Sequence, residues 1–263
     1  MDWVKPFYTK KSEWFSPTGI LEYHRARAAT IERLCGPGMK RILELGAGDG
    51  GTAAAMADLG YTVIAVELSP LRVEHAQELA KEPRKGSITI LEADFYTVEL
   101  EGKFDVVCYW DGFGVGSDAD QRRLLQRVST DWLASDGCML LDVYNPLPWI
   151  SIAGREKRVE GLIELQRRND FDLIRCRFID QWWPASHKTQ AITQSLRCYT
   201  PVDFVLLLEG TGLVLHSIEV AGKALDVEAI EVGDSAMQNL LWSWEGRRYV
   251  AKLIAMSGAG MGS

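Results

Sequence analysis

Histidine is scarce in this chain. The four residues, His24, His75, His187 and His216, have no cysteine, carboxylate or second histidine at metal-ligand spacing, so no zinc-type site is expected. The five cysteines, Cys35, Cys108, Cys138, Cys176 and Cys198, are far apart and form no C-x-x-C pair. Four of them sit in apolar or alternating runs, where cysteine serves as a small core residue, and a cytoplasmic, reducing compartment is the simplest expectation. No apolar run is long enough to span a membrane, and the opening MDWVKPFYTKK lacks the apolar core of a secretory signal. The net charge is −7 and no Lys/Arg-rich block stands out. Membrane and nucleic acid are therefore excluded as expected partners.

What is present suits one large α/β domain: 263 residues, 47% apolar and 25% charged, an ordinary globular balance. Apolar strands alternate with helical segments from residue 41 to residue 144. Arg41–Leu45, Tyr61–Val66, Ser87–Leu91, Phe104–Tyr109 and Cys138–Tyr144 read as strands. Helices are expected over Thr52–Leu59, Pro70–Lys81 and from Ser117 to about Leu133, after cap signals at Ser69-Pro70 and Ser117-Asp-Ala-Asp120. This is the pattern of a doubly wound parallel sheet, whose ligands bind beyond the carboxyl ends of the strands. Residues 1–17 read as aromatic and irregular, with a helix from Ser16-Pro17 to about Leu34. The pattern changes after Pro148, and from Val159 to Tyr199 the chain alternates apolar and polar residues, with turns expected at Asn169-Asp170 and Pro184–His187, so antiparallel strands are expected. A capping-box helix begins at Thr200-Pro201-Val202-Asp203, Leu213–Val220 and Arg248–Ile254 are the last strands, and the tail SGAGMGS is expected to be flexible.

The segment Arg41–Thr52 reads RILELGAGDGGT. Gly46, Gly48 and Gly51 fit the dinucleotide fingerprint G-x-G-x-x-G, and Glu67 stands where an acid accepts ribose hydroxyls. Both features also suit a loop that holds S-adenosylmethionine (SAM). Three others separate the readings. Glu44 would repel a pyrophosphate and would favour an ammonium. Asp94-Phe95, after the third strand, offers an acceptor to an adenine amino group and a ring to cover it. No second βαβ half follows the fifth strand to hold a nicotinamide. The third fingerprint glycine, Gly51, then counts as incidental.

The run LELGAGDGG, with Glu67 ending the next strand, EADF after the third and DGFGVGSDADQRRLLQRVSTDWLASDGCMLLDVYNP after the fourth, resembles a class I SAM-dependent methyltransferase. The resemblance is to the small-molecule branch with an antiparallel insertion after the fifth strand. It implies a Rossmann-like seven-stranded sheet whose last strand runs antiparallel, within a single domain of residues 1–255. That domain comprises an N-terminal lid and helix (1–35), a SAM-binding core (36–148), the insertion (149–200) and a return to the core (201–255), before the tail of 256–263. It implies that Glu44, Gly46, Ala47, Gly48 and Gly50 hold the methionine moiety. Glu67 would take the ribose, and Leu68, Ala93, Asp94 and Phe95 the adenine. Trp110 would face the sulfonium, and Tyr8 would reach the methionine carboxylate from a closing aromatic segment.

Alternatives stay open for several of these residues. Asp94 could cap the following turn. Tyr8 and Trp14 could be core aromatics on a docked arm. For the chemistry, Asp111, Tyr144 and Asn145 qualify by position, with His24 and His187 as candidate bases. His75 reads as solvated and His216 as structural. Asp111 and Asn145 could share a Mg²⁺, but no third ligand is evident and no metal is assigned. Trp149, Trp182 and Trp183 could line an apolar or cation-binding pocket or simply bury the insertion. The expected activity is methyl transfer from SAM to oxygen or nitrogen of a small-molecule metabolite or natural product. The rivals are a nicotinamide-dependent oxidoreductase, a protein or RNA methyltransferase and a non-catalytic SAM-binding protein. Exposed strand edges in the insertion would invite a homodimer.

Overall fold

The computed structural model describes residues 3–225 and 235–256. The tail expected to be flexible, Ser257–Ser263, lies outside the described residues. The chain begins with α1 (Val4–Glu13) and α2 (Glu22–Cys35). The alternating part follows as β1 (Arg41–Leu45), α3 (Gly51–Asp58), β2 (Thr62–Glu67), α4 (Pro70–Ala80), β3 (Ser87–Glu92), β4 (Phe104–Tyr109), α5 (Asp118–Arg127) and β5 (Leu133–Tyr144). Then come α6 (Pro146–Ser151) and four strands, β6 (Glu156–Glu160), β7 (Glu164–Asp172), β8 (Arg177–Pro184) and β9 (Ile192–Arg197). The chain returns with α7 (Pro201–Leu208), β10 (Leu213–Val220), β11 (Lys223–Leu225), α8 (Ser235–Trp242) and β12 (Arg248–Ala255).

The main sheet has the order β11-β10-β12-β5-β4-β1-β2-β3. Strands β3, β2, β1, β4 and β5 are parallel, and β12 inserts antiparallel between β5 and β10. Successive residues of one strand enter different cores, as the two-residue period of a strand requires. Ile42, Val106, Cys108 and Leu140 pack with Ala28 and Ile31 of α2 and Met56 of α3. Leu43, Val107, Met139 and Leu141 pack with Leu124 of α5 and Phe204 of α7. Helices on both faces explain why the parallel strands read as continuous apolar runs. A separate antiparallel sheet, β6-β7-β8-β9, forms the insertion. It docks through β9, where Val115 bridges Leu196 and Arg197 donates its backbone N–H to Gly114.

Several expectations are corrected. Among the described residues the sheet has eight strands rather than seven, because the Ala221-Gly222 turn, both residues at positive φ, folds Lys223–Leu225 back on β10. That is the backbone of a two-residue hairpin, and a three-residue strand leaves little periodicity to read. The N-terminal arm is helical: Phe7 of α1 and Trp14, at its C-terminal cap, bury against Leu165 and Trp182 of the insertion, so tertiary contact forms a helix that local propensity does not announce. Helix α2 starts six residues after Ser16, where the His24 ring Nδ1 accepts the Leu21 N–H. The β7–β8 turn lies at residues 173–176, because Asp172 Oδ1 accepts the N–H groups of Ile174 and Arg175. Asn169 and Asp170 stay inside β7. Cys35 and Cys138 form a disulfide, which corrects the reading of the cysteines as core thiols, while Cys108, Cys176 and Cys198 are free. Among the described residues, no helix is long and apolar enough to cross a membrane.

Candidate active site

One cavity of about 1090 Å³ opens over the carboxyl ends of the parallel strands, under α1 and α2. Its floor is the turn after β1. Gly46 and Gly48 sit at φ +62° and +59°, a conformation that costs an L side chain. Gly46, Ala47 and Gly48 all line it, whereas Gly50 lies outside the lining and packs on Ala76 at the start of α3. Gly51 is not incidental. A Cβ there would lie 2.2 Å from the His24 ring, so this glycine lets α2 approach α3.

Glu67 ends β2 with both oxygens braced: Oε2 accepts the Gly48 N–H and Oε1 the Ser69 N–H, each at 2.8 Å. Each carboxylate oxygen keeps a further lone pair for a hydroxyl. Glu44 is 2% exposed, and its Oε2 is buried without a hydrogen-bond partner. Burial pushes its pKa up to about 8, against the attraction of Arg27 and with the help of the Glu67 charge. A buried carboxyl with one oxygen left unpaired suits a cationic ligand. Leu68, Asp94 and Phe95 line one end of the cavity. Asp94 also accepts the Tyr96 N–H at 2.8 Å, so the turn-cap role and a cavity position coexist. Ala93 lies outside the lining and packs against the main core. The sequence reading missed Tyr96, Thr97 and Arg123 at this end, which follow β3 or stand on α5.

The other end is a ladder of alternating charge. Arg27 donates to Asp142 at 3.3 Å, and Arg248 bridges Asp142 at 3.2 Å and Asp111 at 2.7 Å. The Tyr144 hydroxyl donates to the same Asp111 oxygen at 2.7 Å. Asp111 sits at φ +59°, a strained backbone for a non-glycine residue, which turns its side chain into the cleft where it is 56% exposed. Desolvation alone would raise its pKa, but Arg248, Arg27 and the Tyr144 hydroxyl outweigh it and hold the carboxylate below its usual range. Trp110 lines this end with its indole Nε1 buried and unpartnered. Tyr8 lines the cavity from α1, whereas Trp14 is the core aromatic.

Three of the five expected chemistry residues therefore face the cavity: Asp111, Tyr144 and His24. His24 is a poor base, because burial lowers its pKa to about 4 and Nδ1 already accepts the Leu21 N–H. Asn145 is buried elsewhere: its amide donates to the carbonyls of Leu241 and Gly246 and its oxygen caps α6. Asp111 and Asn145 consequently do not converge on one ion. His187 is exposed at the β8–β9 turn beside Ser186, away from the cavity. His75 is half-buried, 3.6 Å from Asp49, rather than solvated. Trp149, Trp182 and Trp183 are buried and line no part of the cavity; Trp149 packs on Tyr144 and Phe178. Asp142 and Arg248 were legible in principle. A lone acid in an apolar strand is the same signal as Glu44, and antiparallel pairing sets Arg248 directly opposite Tyr144.

Residues 42–137 match the family described as "Methyltransferase domain". The matched stretch runs from β1 to the start of β5 and includes the glycine turn, Glu44 and Glu67. No curated protein matches it. The fold is that of class I SAM-dependent methyltransferases. The chain is similar to the CcbJ methyltransferase from Streptomyces caelestis, with 20% identity, 97% of each chain covered and a TM-score of 0.71. It is also similar to the sugar N-methyltransferase KedS8 from Streptoalloteichus sp, with 17% identity, 90% of this chain and 88% of that chain covered, and a TM-score of 0.61. SAM-bound CalS10, an amino pentose methyltransferase from Micromonospora echinaspora, shares 18% identity over 89% of this chain and 92% of its own, with a TM-score of 0.57.

Proposed function

We propose that the enzyme transfers a methyl group from SAM to a nitrogen or oxygen of a small molecule. The observation that carries this reading is the division of one cavity. A glycine turn, the braced Glu67 and the orphaned Glu44 occupy one part, and a polar ladder around Asp111 occupies the other. The strand order argues against the nicotinamide rival, since the antiparallel β12 stands where a second parallel unit would begin.

When bound, SAM supplies an activated methyl on a sulfonium with a neutral leaving group. The chain's own work is then to hold, orient and dry the reactants. Glu67 accepts the ribose hydroxyls while fixing the loop through Gly48. Glu44, once it faces an ammonium, gives up its proton. Trp110 and Tyr8, both on the cavity wall, would help to keep water from the reactants. Tyr144 commits its proton to Asp111, so its oxygen and the Asp111 carboxylate present lone pairs to the acceptor. Such a wall orients an N–H or O–H donor on the acceptor; similar solved structures are described as a sugar N-methyltransferase and an amino pentose methyltransferase, which favours an amine.

A cytoplasmic setting is kept as part of the proposal. It requires the Cys35–Cys138 pair to persist in a reducing milieu, where disulfides are rare. Calorimetry with S-adenosylhomocysteine and with NADH tests the cofactor; binding of NADH alone would overturn the reading. Turnover of methyl-labelled SAM on a panel of amines and matched alcohols tests the acceptor, with label expected in the amines.

A further inference from the structure

Asp180 stands in the middle of β8 with no exposed surface. Four donors saturate it. Oδ1 accepts from Arg167 Nε at 2.6 Å and Asn169 Nδ2 at 2.9 Å. Oδ2 accepts from Trp182 Nε1 at 2.8 Å and Gln194 Nε2 at 3.0 Å. A buried carboxylate is costly to desolvate, and an apolar residue would fill an insertion sheet at less cost. The arrangement has a consequence at the cavity instead.

A carboxylate paired with a guanidinium offers lone pairs only, so the Gln194 amide must turn its NH₂ toward Asp180. The amide oxygen of Gln194 then faces α1. There it accepts the Tyr8 hydroxyl proton at 3.2 Å. Reversing the amide would set its oxygen against Asp180 Oδ2, which forbids the flip. The single phenolic proton of Tyr8 is thus committed to Gln194, which lines the same cavity, and the lone pairs of Oη are left for whatever the cavity holds. Tyr8 lines that cavity within electrostatic reach of Glu67 at the cofactor end and Asp111 at the acceptor end. Burial raises its pKa further, so the phenol keeps its proton. The same carboxylate fixes Trp182, whose ring lies 4.8 Å from the Lys11 ammonium, one turn along α1 from Tyr8.

We propose that Asp180 and Gln194 are positioning residues that set the hydrogen-bond polarity of Tyr8, holding Oη as an acceptor on the cavity wall, where a bound SAM would present its sulfonium methyl. The inference rests on the SAM reading above. Its consequence is selectivity for a centre that carries polarised hydrogens: the sulfonium methyl itself, then the N–H of an amine.

Sinefungin, the SAM analogue with an amine in place of the sulfur-borne methyl, probes this without knowledge of the acceptor. Calorimetry compares its affinity with that of S-adenosylhomocysteine in the wild type, Tyr8→Phe, Gln194→Met and the double variant. The wild type is expected to prefer sinefungin, and each single substitution to cut that preference about tenfold, the scale of one charge-assisted hydrogen bond. The double variant should lose no more than either single one. A purely structural role would weaken both ligands alike and leave the preference intact, and that outcome overturns the inference, as does additivity of the two substitutions. If Gln194→Met fails to fold, Asp180→Asn replaces it: its amide can donate to the Gln194 oxygen, reverse that side chain and lower the same preference. A wild type that binds neither ligand removes the SAM reading itself. A wild type that binds both, with an unchanged preference in the variants, removes only the inference.

Discussion

Glu44 and Glu67 are two buried acids on neighbouring strand ends with different tasks. Glu67 spends one lone pair of each oxygen on backbone N–H groups and keeps the rest for a ligand. Glu67→Ala should weaken S-adenosylhomocysteine binding roughly 10- to 100-fold in calorimetry, the scale of hydrogen bonds to a charged group; an unchanged affinity would refute the ribose assignment. Glu44 has a folded-state pKa of about 8 against an ordinary 4.5, with burial the main cause. The folded protein therefore holds a proton that the unfolded chain has released between these values. This group's contribution to stability is full below about pH 4.5 and declines as pH rises to about 8. In Glu44→Gln that decline vanishes. Urea unfolding of the ligand-free enzyme should show the variant gaining on the wild type from about pH 5 to about pH 8. Parallel pH profiles would show that Glu44 does not titrate in this window. Glu44 was legible because an acid interrupts an apolar strand. Asp180 and Gln194 were not, since a polar residue in an alternating strand reads as solvent-facing until a second layer covers it.

At the scale of elements, the close approach of α2 to α3 turns on one missing side chain. An alanine at Gly51 has better helix propensity by about 1 kcal/mol, so an isolated helix would gain from Gly51→Ala. Here the new Cβ would sit 2.2 Å from the His24 ring, and that ring also caps α2 through the Leu21 N–H. The substitution is expected to destabilise the enzyme by about 1–3 kcal/mol, the usual cost of overpacking. Thermal unfolding checks the sign, and a stabilised variant would show that α2 yields freely. Local signals placed the elements whose ends carry their own chemistry. Ser117 and Thr200 form capping boxes with Asp120 and Asp203, as their spacing predicts. They failed where a partner supplies the reason for the element. Helix α1 exists because Phe7 and Trp14 find Leu165 and Trp182, more than a hundred residues away.

For the whole molecule, the insertion offers few routes to self-association. Its β9 side meets α1 and the Gly112–Gly116 loop, while β6 forms the other edge with Glu156, Lys157, Arg158 and Glu160 largely exposed. A charged edge discourages strand pairing, so the homodimer expected through this sheet is disfavoured. Light scattering should return the mass of one chain; a dimer that Lys157→Glu dissociates would contradict this. The sequence by itself determined the parallel half of the sheet, the glycine turn and the acids at the ends of β1 and β2. Apolar period, cap residues and glycine conformation are local properties that need no distant partner. Only the tertiary structure decided which polar residues share the cavity. Arg27, Asp111, Asp142, Arg248 and the Asp180–Gln194–Tyr8 chain come from segments far apart in sequence, and their roles exist only once packing removes them from water and leaves each with a particular neighbour.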